Sequence, residues 1–183
     1  MYTFRSREQG SLKVYGNITG PIEDFISLFS AFEELYNLVL VLSESLIFDE
    51  YINVSMLRKL LKSSINTHRY GDYYLRSYES DLILPEERLV LSSINFSSTG
   101  IFDLLGVASV LEQIREFIKD ITYRNNQQKW AGRIELLQKI NDSSLIQEEK
   151  RLLINKIYAP LNRIKRDIDM KKITDVKSGE AKE

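Results

Sequence analysis

The feature that most constrains this chain is an apolar stripe downstream of Gly20 and Pro21. Phe25, Phe29, Phe32, Tyr36, Val39, Leu42 and Leu46 recur every three or four residues, which places them on one face of a helix. Pro21 suits a first helical position, where a missing N–H costs nothing. Glu23 and Asp24 follow it in the first turn, with the charge that a helix N-terminus favours. The stripe predicts a helix over residues 21–48 as the main core element.

A helix of this kind needs cover, and its flanks read as strands. Upstream, Tyr2 and Phe4 alternate with polar residues, and Leu12, Val14 and Ile18 alternate with Lys13, Tyr15, Asn17 and Thr19. The "REQGS" segment between them predicts a β-hairpin with Gly10 in its turn. Downstream, Asn53 is placed to cap a second helix that carries Val54, Leu57, Leu60, Leu61 and Ile65 inward. Composition then shifts. Residues 68–80, "HRYGDYYLRSYES", hold four tyrosines and two arginines. Residues 73–78 are read as a strand, "DLILPEE" as its connection with Pro85 in the turn, and residues 88–96 as the antiparallel partner. Val90, Ile94 and Phe96 would then share one face, with Leu89 and Leu91 on the other.

The stretch "LVLSSINFSSTGIFDLLG", residues 89–106, reads as a strand, a small-residue turn and the start of a helix. A Walker-type phosphate loop needs G-x-x-x-x-G-K-[ST], and Val107 and Ala108 stand where the Lys and Ser/Thr would be required. Plain helix capping by Ser97, Ser98 or Thr99 accounts for the turn, with Asp103 near the positive helix end. Leu104, Val107, Leu111, Ile114, Ile118 and Ile121 continue at helical spacing. Trp130, Ile134, Leu137 and Ile140 keep a similar seam, which "INDSS" interrupts, and Ile154, Ile157, Leu161, Ile164 and Ile168 resume it. Pro160 predicts a kink, or a split at Ala159. Beyond Thr174 the chain has few apolar residues and is expected to fray.

These readings sum to an α+β fold, because the strands come in groups and not in regular βαβ alternation. The expected architecture is a small antiparallel sheet of two hairpins packed on a long helix, followed by a C-terminal helical hairpin or long-helix region. The expected organisation is an α+β core at 1–98, a helical region at 99–173 and a disordered tail at 174–183.

Composition narrows the chemistry. There is no cysteine, which excludes disulfides, thiolate metal sites and a Cys nucleophile, and the one histidine, His68, excludes any site built on two imidazoles. No motif for a cofactor is found. The N-terminus lacks an apolar signal region, and the apolar window 35–48 is too short to span a bilayer, so a cytoplasmic protein without a membrane span is expected. Charge is uneven: acids outnumber bases by six from Met1 to Glu149, and bases outnumber acids by five from Lys150 to Glu183.

These residues are compatible with three kinds of function. Tyr70, Tyr73, Tyr74 and Tyr78 beside Arg76 have the composition of a protein-interface hot spot, and Tyr158, Leu136, Leu153 and Met170 lie off the C-terminal stripe where a partner could meet them. The leading expectation is a non-enzymatic interaction or self-assembly module, an adaptor or scaffold that associates through its C-terminal helices with a protein partner or a second copy. The alternative is a nucleic-acid-binding regulator using Arg163, Lys165, Arg166, Lys171 and Lys172. A second alternative is a small enzyme with His68 as base and Asp72 as its orienting partner. The acidic pairs Glu33-Glu34, Asp49-Glu50 and Glu86-Glu87 read as solvated surface, since adjacent helical residues point apart. A membrane-active role for residues 101–110 is opposed by Asp103, Glu112 and Glu116.

The segments "INFSSTGIFDLLGVASVLEQIREFIKDITYRNNQQKW" and "LLINKIYAPLNRIKRDIDMKKI", with the opening "LKVYGNITGPIEDFISLFSAFEELYNLVLVL", resemble a family of small uncharacterised bacterial proteins. The shared pattern is a strand, a small-residue turn, a Leu-Gly step, charged helices and a closing Pro-Leu segment. The family's turn more often carries Ser-Pro-Gly, and its charged helix is more basic. The resemblance implies a bacterial, soluble domain and adds no site residue.

Overall fold

Leu12 and Val14 alternate with Ser11, Lys13 and Tyr15 along strand β1, Gln9–Gly16, and the two aliphatic side chains are buried. Each such burial contributes roughly 1.5–3 kcal/mol of hydrophobic stabilisation. The structure is a computed structural model that describes residues 7–17, 21–45, 83–95, 100–122, 137–138 and 140–179. The expected strand at Tyr2 and Phe4, the expected helix from Asn53, the expected strand at 73–78, the turn residues 97–99, and Trp130 lie outside the described residues.

The fold is α+β. Helix α1, Ile22–Ser45, is followed by a 3₁₀ turn at Pro85–Glu87, strand β2 (Val90–Asn95), strand β3 (Gly100–Val107), helix α2 (Ala108–Thr122), helix α3 (Gln147–Asp169) and strand β4 (Ile173–Gly179). The sheet runs β2-β3-β1-β4, with every neighbouring pair antiparallel.

The sheet differs from two hairpins in several ways, each with a local cause. Gly10 sits inside β1, opposite Gly106, and not in a turn. Both edges of β1 are taken, by β3 along its whole length and by β4 from Ser11 to Gly16. The opening of residues 89–106 is strand, but its continuation is a second strand and not a helix. Gly100 begins β3, so the capping role given to Ser97, Ser98 or Thr99 has no helix to serve, and Asp103 and Leu104 lie on a strand. Phe102 and Leu104 point inward at period two, and the chain then passes from Val107 directly into α2 at Ala108. Strand and helix phases therefore agree across the join, which is why one continuous helical stripe could be drawn through both.

β2 also departs from its expected phase. Leu91 and Ile94 stand opposite Leu104 and Phe102, whereas Val90 stands opposite Leu105 and Asn95 opposite Ile101; the register shifts between Leu91 and Ser93. A bulge adds one residue and flips the alternation. Val90 and Ile94 consequently face opposite sides. β2 pairs with β3 on one side, and the predicted partner, residues 73–78, lies outside the described residues.

Residues 174–179, within the segment predicted to be a disordered tail, form most of β4, with Ile173 and Val176 buried; residues 180–183 lie outside the described residues. The sheet thus joins strands from positions below 98 with strands above 99.

α1 is the centre of the core. It begins as Pro21 implies, with the Asp24 amide bonded to the Pro21 carbonyl at 3.1 Å. Phe25 and Phe29 meet Phe102 edge-on, with ring centroids 6.5 and 5.1 Å apart. Residues 38–42 are all buried, so the helix is covered around its circumference as well as along the predicted stripe. The same apolarity makes Ile22–Ser43 long and apolar enough to cross a membrane by length and composition, further than the 35–48 window suggests; just over half of the tested window is buried in this fold.

The C-terminal helices complete that cover. Val110, Leu111, Ile114, Phe117 and Ile118 of α2, and Leu153, Ile157, Leu161 and Ile164 of α3, belong to the same core as α1. Leu153, placed off the stripe as a partner contact, is fully buried. α3 runs unbroken through Pro160, whose ring is itself packed inside; burial on both sides holds the helix across the missing donor.

Candidate interaction surface

The described residues place some of the predicted site residues and not others. Tyr70, Tyr73, Tyr74, Arg76, Tyr78, His68, Asp72 and the Asp49-Glu50 pair lie outside them. Tyr158 is half-buried on α3. Arg163 pairs with Glu34 of α1, Lys165 with Asp169 at 2.6 Å, and Lys172 with Asp24 at 2.7 Å. Three of the five cations proposed for nucleic acid are thus engaged with acids of their own chain, while Arg166 and Lys171 are exposed. Leu136 lies outside the described residues, and Met170 is exposed alone at the end of α3.

The basic end of α3 has a structural task. The Lys172 amide bonds to the Asp167 carbonyl and the Lys171 amide to the Ile168 carbonyl, both at 2.8 Å. This is a Schellman cap, and Lys171 occupies its left-handed position with φ 57°. Below it, Asp167 is buried, and burial pushes its carboxyl above the usual range against the opposing pull of Lys172 and Arg166. The Lys172 carbonyl then presses on the end of β1. A Cβ on Gly16 would lie 2.0 Å from it, so only glycine fits.

In the two described acidic pairs, Glu34 and Glu87 have structural partners. Glu34 holds Arg163. Glu87 holds Arg7 at 3.4 Å, and its carbonyl accepts the Tyr36 hydroxyl proton at 2.5 Å. The same hydroxyl accepts from the Val107 amide at 2.8 Å, so Tyr36 joins α1, the turn before β2 and the junction of β3 with α2. Burial raises the Tyr36 pKa, which keeps the hydroxyl protonated as this bridge requires. Gly106 leaves room for the ring, since a Cβ there would sit 2.7 Å from Tyr36 Cε2. Among the described residues no group of three His, Cys, Asp or Glu side chains converges as a metal site would demand.

What remains is the surface at the β2 edge of the sheet. All six β2 residues are exposed, including Val90 at 52%, Leu91 at 41% and Ile94 at 37%. Other exposed large apolar residues, such as Ile22 and Ile26 on α1, Leu152 on α3 and Ile146 at the N-cap of α3, carry no strand edge. β2 hydrogen-bonds to β3 on one side, and among the described residues no strand pairs with its other side. An edge of this kind presents backbone donors and acceptors to any extended chain. Sequence reasoning placed a strand here and paired it with residues 73–78, which lie outside the described residues; "VLSSIN" itself contains no charge, proline or glycine.

Compared with protein-family models, with curated proteins and with solved structures, the chain matches none.

Proposed function

We propose that the protein is a non-enzymatic interaction module whose docking element is the outer edge of β2, which receives an extended strand from a partner. The observation that carries this reading is the exposure of every β2 residue on an uncharged edge that holds three large apolar side chains. Strand addition draws affinity from main-chain hydrogen bonds and selectivity from alternate side chains, and Leu91 and Ile94 supply the apolar side of that recognition. Association through the C-terminal helices has less support, because their seams are spent inside the core. The nucleic-acid alternative has less support for a similar reason, with Arg163, Lys165 and Lys172 facing acids.

The test uses a labelled peptide of alternating Val and Thr, flanked by lysines for solubility. Fluorescence anisotropy should rise on titration with the protein and should fall back sharply with the Ile94→Lys variant. A peptide that the wild-type chain does not bind rejects the edge as a docking element.

A further inference from the structure

We draw no further inference here: the strongest candidate, the exposed apolar pair Ile22 and Ile26 on the first turns of α1 beside Glu23 and Glu33, carries nothing because nothing in the structure shows what covers it.

Discussion

Among the described residues β2 and β4 flank the sheet, and the two strands are built from different materials. β4 is tied down: Thr174 Oγ1 donates to the Tyr15 carbonyl at 3.2 Å, and Ser178 donates to Glu112 and accepts from Arg115 of α2. Asp175 and Lys177 pair at 3.1 Å, and the Lys177 ammonium lies 5.1 Å from the Tyr15 ring centroid. The Asp175 carboxylate also raises the Lys177 pKa. A register shift beside Gly16 breaks the regular ladder. Charge, bulge and tether are the usual devices that stop an edge from accepting another strand. β2 has a bulge but neither charge nor a comparable tether among the described residues, and its apolar residues are exposed. The difference teaches that an edge is protected by its side chains and not by its place in the sheet.

Several substitutions would break or sharpen that contrast. The largest effect is expected on the β4 side, where Gly16→Ala would push a methyl against the Lys172 carbonyl. Overpacking against backbone should cost about 3 kcal/mol or more, read as a lower denaturation midpoint. Next comes Tyr36→Phe, which leaves the buried Val107 amide without its acceptor and frees the turn before β2. A loss of about 1–3 kcal/mol is expected by urea denaturation, with faster exchange of the Val107 amide.

Lys171→Gly should stabilise the chain by about 1 kcal/mol in thermal unfolding, because glycine adopts the left-handed cap position without the side-chain penalty. At the same cap, Asp167 has a folded pKa raised above 3.8 by burial. The folded state then binds more protons than the unfolded state between those two pKa values. Stability from this group is therefore present at acid pH and is lost as pH rises through the window. Asp167→Asn should flatten that part of the stability–pH curve and raise stability at neutral pH relative to the wild type. Smallest of all, Ile94→Lys at the β2 edge should change stability by no more than about 0.5 kcal/mol, since the side chain is already exposed.

How far the sequence announced this molecule depends on the element. The α1 stripe and its Pro21 start were legible because a helix with an apolar face, an N-terminal proline and early acids satisfies three independent rules at once. β3 was hidden because it enters α2 with no turn residue between Val107 and Ala108, so inward strand positions fell in step with a helical repeat. β4 was missed because an edge strand needs few apolar residues, and Ile173 and Val176 alone anchor it. Pro160 misled because tertiary burial outweighed its local cost. The candidate surface was the least legible. Its strand could be read from Val90 to Asn95, yet which neighbours a strand acquires is decided by pairing with residues far away in the chain, and the bulge that turns Leu91 and Ile94 to one side leaves no mark in the alternation.

Residue-resolved hydrogen exchange of β2 and β4 bears most directly on the contrast between the two strands. The account predicts that the β2 amides turned away from β3 exchange quickly, while β4 amides bonded to β1 stay protected. Equal protection of both strands would contradict it.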